Sequence, residues 1–190
     1  MDYLRLNLPG ALDGVVEMEI ANTLDEFLSK TNAWTAEMPL RVKDNKQNYS
    51  VKPAGGSVVR LIGVLDDNPD MDIWVPASMP SLDIIALRNN PGRSATFRAF
   101  VALKPSPNKG LEDIPEWIYE NHRLPIQHGV IGRMMSHPAK PYSNERLAIY
   151  NMRKFHAMTA QVRAEKSQEY LYRGQVWCYP RNFARGTQRS

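Results

Sequence analysis

Cysteine is nearly absent from this sequence. Cys178 is the only one in 190 residues, which excludes an internal disulfide framework and a cysteine-built zinc site and points to a reducing compartment or indifference to redox state. Cys178 itself reads as a small, buried or half-buried hydrophobe. Long apolar runs are missing too. None approaches the roughly 20 residues that cross a bilayer, and the start, MDYLRLNLPG, has no basic region followed by a greasy one, so the expectation is a soluble, non-secreted protein with no membrane partner.

Reactive constellations are equally scarce. His122, His128, His137 and His156 are spaced by 6, 9 and 19 residues, so no pair has the four-residue helical spacing of a zinc site, and no HExxH occurs. Neither GxGxxG nor GxxxxGK[ST] is present. Gly55-Gly56 and the glycines at 129 and 132 have ordinary turn or packing explanations. The acidic run Asp66, Asp67, Asp70, Asp72 lacks the central glycine and closing glutamate of an EF-hand loop and reads as a hydrophilic hairpin tip. No GxSxG surrounds a serine, and Ser57 has no evident base. The expectation is a non-enzyme with no catalytic residue, cofactor or metal.

What the sequence does contain is helical periodicity at both ends. Residues 111–168 read as two helical segments facing each other across a proline-bounded turn. In the second, Leu147, Tyr150, Lys154 or Phe155, Met158 and Val162 recur at three- and four-residue spacing and predict a buried stripe, with Arg146, Arg153, Arg163 and Glu165 mostly elsewhere. Ser143 stands where an N-cap is needed, Pro138 and Pro141 confine the link before it, and Glu145 suits the positive end of the helix dipole. In the first segment Asp113 is a candidate cap and Pro115 a first-turn residue. Trp117, Ile118, Asn121, Ile126, Val130 and Met134 form an approximate apolar row. Pro125 predicts a kink or split near Arg123 and Leu124, because it removes a donor and clashes one turn back. Gly129 and Gly132 cost roughly 1 kcal/mol each against alanine and so imply another backbone packed close by. A third amphipathic helix spans residues 11–33, with Leu12, Val16, Ile20, Leu24, Phe27 and Leu28 inward and Glu17, Glu19, Asp25, Glu26 and Lys30 outward. Phe27 and Trp34 read as core.

Between the helices, residues 38–104 alternate short β-favouring runs with turn sequences. In 57–64, Val59, Leu61 and Gly63 oppose Val58, Arg60, Ile62 and Val64; in 96–104, Phe97, Ala99, Val101 and Leu103 oppose Arg98, Phe100 and Lys104. Asp67-Asn68-Pro69-Asp70 and Asn89-Asn90-Pro91-Gly92 are reverse-turn sequences placed to join hairpins. The predicted fold is α+β: a helical bundle (residues 1–37 and 105–168, the N-terminal helix plus a C-terminal helical hairpin), an inserted antiparallel β region of four to six strands (38–104), and an extended C-terminal arm (169–190).

Charge is polarised along the chain. From Arg133 onward 11 Lys or Arg stand against 3 Glu, a net of +8, which leaves −4 for residues 1–132 out of the whole chain's +4. A basic end can meet phosphates or an acidic protein surface, or simply be solvated. In the arm, aromatics interleave with arginines, and Gly174, Pro180 and Gly186 argue against a long helix. Such residues anchor interfaces. The candidate binding set for a partner protein or neighbouring subunit is therefore Tyr170, Tyr172, Arg173, Trp177, Tyr179, Arg181, Phe183 and Arg185. Packing on the chain's own body and nucleic acid binding are the alternatives.

The order of these pieces resembles a known family. A leading Leu8-Pro9-Gly10 is followed by a helix ending in Phe27, Thr31 and Trp34. After the β region come Pro115-x-Trp117-Ile118, then Gly129-x-x-x-Arg133-Met134-Met135-x-x-Pro138-x-Lys140-Pro141-Tyr142-Ser143-Asn144, then Phe155-His156-Ala157-Met158 and a closing Pro180 to Phe183. This pattern resembles the head-to-tail adaptor (connector) proteins of tailed bacteriophages. The resemblance covers most of the chain and rests on packing and turn residues; the β insertion is where such proteins vary most. It implies a structural virion protein, made in the host cytoplasm and located at the head-tail junction. It would form a homo-oligomeric, typically dodecameric, ring between the portal protein and the tail or nozzle protein, with DNA passing through the lumen without sequence recognition. The competing expectations are a DNA-binding protein using its basic C-terminal region and a tail-tube or baseplate subunit.

Overall fold

A computed structural model describes residues 4, 7–43, 46–66, 74–88, 94–106 and 111–171. Helix α1 (Asp13–Lys30) leads into strands β1 (Thr35–Val42), β2 (Asn48–Ser50), β3 (Ser57–Asp66), β4 (Trp74–Val75), β5 (Ala77–Ser81), β6 (Ile84–Leu87) and β7 (Ala95–Lys104). A 3₁₀ turn (Leu111–Asp113) then precedes α2 (Glu116–Asn121), α3 (Arg123–Met135) and α4 (Glu145–Leu171). The fold is α+β, with four α-helices and two antiparallel sheets among the described residues.

The strands divide into a four-stranded sheet, β1-β7-β3-β4, and a three-stranded sheet, β2-β6-β5. The turn sequence at 89–92, expected to close a hairpin, lies outside the described residues, and the strands on either side of it do not pair. β6 belongs to the smaller sheet, and β7 lies between β1 and β3. β7 is the centre of the larger sheet. From Ala99 to Leu103 no residue is more than 8% exposed, so the expected two-faced alternation gives way to burial on both sides, with Phe100 against the Trp74 ring at 5.9 Å between centroids. In β3 the alternation is broken by register shifts between Val58 and Arg60 and between Leu61 and Gly63, each inserting a residue that turns its neighbours to the other face.

Helix α1 packs on β7, α3 and α4, and α3 lies along α4. Val16, Leu24, Phe27 and Leu28 are buried as expected, and Trp34 is core against Gly55 and Gly56. A side chain at Gly56, φ +67°, would meet the Lys104 carbonyl at 2.6 Å, so the turn there demands glycine. Two expectations for α1 fail. Leu12 is the exposed N-cap rather than an inward residue, and Glu19 is buried. The proline split is found: α2 ends at Asn121, His122 is non-helical (φ −120°, ψ 27°), and α3 starts at Arg123. The residue before α2 is Pro115, and Asp113 sits in the preceding 3₁₀ turn instead of capping the helix.

The close approach implied by the glycines is also found. A Cβ at Gly129 would overlap the Thr23 methyl and sit 3.0 Å from the Phe155 ring, and one at Gly132 would meet Met152 Cγ at 2.8 Å. That tightness changes which face of α4 is inward. Ala148, Asn151, Phe155 and Thr159 are buried, whereas Leu147 and Tyr150, expected inward, are exposed, and Met158 and Val162 are half-buried. The glycines of α3 receive Phe155 and Met152 of α4, and Leu147 and Tyr150 are left outside that contact. Trp117, placed in the apolar row of α2, is likewise 41% exposed, and Asn121 is exposed.

Candidate interaction surfaces

The start of α4 is set one residue later than expected. Asn144 Oδ1 accepts the Leu147 N–H at 3.1 Å and is the working cap. Ser143 Oγ instead ties the preceding turn, accepting from the Lys140 N–H at 2.9 Å and donating to the His137 carbonyl. Ala139 in that turn has φ 57°, a left-handed conformation costly for a side chain, and Tyr142 is buried beneath it.

A polar seam holds this turn and the helices together. Glu26 on α1 accepts from Lys30 and from Arg133 of α3, and His156 Nδ1 of α4 lies 3.8 Å away. Burial alone would push the Glu26 carboxyl up, but the Lys30 hydrogen bond and charge, with Arg133 and His156, outweigh it and hold it below the ordinary carboxylate value. Buried Glu19 lies 3.3 Å from His137 Nε2 and accepts from Asn22 at 3.3 Å. Asn151 Nδ2 donates to the Leu147 carbonyl at 2.8 Å, leaving its oxygen to accept from His128 Nδ1, also at 2.8 Å, which fixes the proton on that ring nitrogen. His122 lies against Phe27 with the rings tilted by 50° and their centroids 5.1 Å apart. Each of the four histidines is thus engaged between helices. No group of three or more His, Cys, Asp or Glu is arranged to hold a metal among the described residues, and none of the described helices is long and apolar enough to cross a membrane.

Of the residues singled out for partner binding, Tyr170 falls in the last turn of α4 with its side chain outside the described residues. Tyr172, Arg173, Trp177, Tyr179, Arg181, Phe183 and Arg185 lie outside them altogether. α4 runs three residues into the expected arm, to Leu171.

Three surfaces that the sequence reading missed lie within the described residues. The first is on α4, where Leu147, Ile149 and Tyr150 are 45%, 46% and 54% exposed beside exposed Arg146, Arg153 and Lys154. The Lys154 ammonium lies over the Tyr150 ring at 5.8 Å. A largely apolar groove of about 640 Å³ adjoins this face, lined by Met135, Ala148, Ile149 and Met152. The second is the outer face of α1, where Leu12 and Met18 are exposed beside Asp13 and Glu17. The third is a wedge of about 730 Å³ between β3 and β5. Part of the signal for the first was available: Gly129 and Gly132 mark a close helix contact, which Phe155 and Met152 of α4 enter while Leu147 and Tyr150 stay exposed.

No protein-family model matches the chain, and no curated protein matches it.

Proposed function

We propose that the chain is a non-enzymatic structural virion protein, a head-to-tail adaptor subunit that assembles as a closed homo-oligomeric ring between portal and tail at the head-tail junction. α1 and the α2–α4 hairpin would form the bundle that builds the ring wall, with the β region as a second contact surface and DNA passing through the lumen unread. A closed ring requires two different, complementary patches on each subunit. The observation that carries the reading is such a pair: an acidic face with Leu12 and Met18 on α1, and a basic face with Leu147, Ile149 and Tyr150 on α4. Opposite charge around apolar centres sets register and favours one partner orientation. The arm set, Tyr170 to Arg185, would reach the portal or the adjoining subunit, and the sequence order of helix, β insertion, hairpin and arm supports the same reading.

The test is mass determination by light scattering on the purified chain, alone and mixed with portal particles. A multi-copy ring is expected on the portal. Arg146→Glu with Arg153→Glu should abolish it, and Asp13→Arg with Glu17→Arg in the same chain should restore it. A chain that ignores the portal but binds random duplex DNA, with affinity falling steeply and linearly in log–log form with salt, would instead be a phosphate binder using its basic C-terminal region.

A further inference from the structure

The chain forks after β4. Val75 and Trp74 pair with Val64 and Leu65 of β3, but at Pro76 the strand turns off, and as β5 it pairs with β6 in the smaller sheet. Among the described residues no strand pairs the outer edge of β3 from Ser57 to Gly63. β5 faces that edge across the wedge of about 730 Å³, with the Trp74 ring over Gly63 at one end and Leu82, 59% exposed, on the far wall. The β5 wall has backbone to offer as well. The Pro76 carbonyl accepts from the Arg88 N–H at 3.0 Å, so Pro76 turns its backbone toward β6 and its missing N–H costs the wedge nothing. Ala77, the next residue, therefore turns its own N–H and C=O into the wedge.

Open strand edges are normally blunted by charge or proline, because their free N–H and C=O groups template another strand. At the other edge of the same sheet, β1 carries exposed Glu37, Pro39 and Arg41. β3 has no such guard. From Ser57 to Gly63 it contains no proline and one charge, Arg60, whose side chain leaves the wedge and donates to the Ser29 carbonyl at the end of α1. No other charged residue lines the wedge, and half-buried Leu61, Ile62, Trp74 and Met79 do.

These features define what the wedge can take. It is walled on both sides, so the edge of a second folded sheet, with its own strands behind it, cannot enter. A single extended segment, from a chain end or an open loop, can. The wedge offers such a segment backbone hydrogen bonds with apolar contacts between them, which are the requirements of strand addition. Its lining also selects by charge. A Lys, Arg, Asp or Glu carried in would lose its water and meet no opposite charge, so the complementary segment is uncharged. β5, the facing wall, is five residues long, and the occupant matches it. We propose that the wedge binds an uncharged, extended segment of about that length from another protein, with apolar and small polar residues alternating, as a strand added to the outer edge of β3. This goes beyond the adaptor reading and does not depend on it.

Amide exchange in the isotopically labelled full chain tests this, with acetyl-Thr-Val-Thr-Val-Thr-amide as the probe. In the protein alone, alternate amides between Ser57 and Gly63, and that of Ala77, should exchange at close to the unstructured rate. Slow exchange there would mean that the edge is already covered, by this chain or by a second copy, and would overturn the proposal. The peptide should bind saturably and slow those amides at least about tenfold, as a site nine-tenths occupied requires, and leave the amides of α4 unchanged. Methylating every peptide nitrogen keeps the side chains and removes the donors, and should weaken binding by about tenfold or more. Lysine in place of both valines should do the same. Leu82→Asp, at an exposed position, should weaken binding of the unmodified peptide without changing urea unfolding. Equal binding of the methylated peptide would mean apolar adhesion without strand pairing. Protection confined to the groove beside α4 would mean a different site, and no binding at millimolar peptide would mean none. Each of these three results overturns the proposal.

Discussion

The apolar residues exposed on α4 and those lining the β3–β5 wedge differ in what stands behind them. α4 satisfies its own backbone, so a partner there meets only side chains, and the shape and charge of Arg146, Leu147, Tyr150 and Arg153 decide what fits. At the wedge the outer edge of β3, from Ser57 to Gly63, pairs with no strand among the described residues, so an extended segment there gains hydrogen bonds along with apolar contact. The helix face can therefore discriminate between partners and the strand edge discriminates little.

The contrast can be broken at its foundations. Phe155 is fully buried where α1, α3 and α4 meet, and Phe155→Ala should cost about 3–5 kcal/mol in urea unfolding. It should also weaken assembly through the α4 face, because that face is held rigid by this packing. A smaller effect, about 1–3 kcal/mol, is expected from overpacking either region. In Gly129→Ala the new methyl would overlap the Thr23 side chain and force α1 and α3 apart; in Gly63→Ala it would overlap the Trp74 ring and lift the floor of the wedge. Gly129→Ala should impair ring formation and leave amide protection in β3 and β7 unchanged, and Gly63→Ala should do the reverse. Equal effects of both on both readouts would mean that the two surfaces are not separable.

The two regions were also unequally legible in the sequence. Pro125 announced the break at His122, and Gly129 and Gly132 announced a close helix contact, because each is a local backbone property. Which face of α4 enters that contact was legible only in part. Large apolar residues at helical spacing point to the buried face, and Phe155 obeys, yet the close approach also buries Ala148 and Thr159 and leaves Leu147 and Tyr150 outside. The N-cap slipped by one residue because Ser143 and Asn144 are both competent caps, and only the turn's own need for the Ser143 hydroxyl decides between them. In the β region individual strands were recognisable, but not their division into two sheets. The partners of β7 are β1 and β3, dozens of residues upstream, and no local pattern encodes a pairing at that distance. The bulges in β3 hid its register for the same reason, and with it the open edge.

The smallest effect separates the regions by acid. All four histidines lie between residues 122 and 156, so mild acidification acts on the helices and not on the strands. His122 has its pKa lowered, first by burial and then by the Lys166 charge, with Glu165 opposing. The folded protein therefore keeps this ring neutral at a pH where the unfolded chain already takes up the proton. The resulting stability is fully present above the ordinary histidine value near 6.5 and is lost as pH falls from there through the lowered folded value. Glu26, whose pKa is lowered by its cationic neighbours, adds a second loss only below the ordinary carboxylate range. Between about pH 7 and about pH 5.5, amide exchange should accelerate in α3 while β7 stays protected. His122→Gln should remove most of that acceleration, since an amide takes up no proton there. Equal acceleration in β7 would mean that helices and sheet open as one unit, and the separation drawn between the two surfaces would then hold for binding but not for stability.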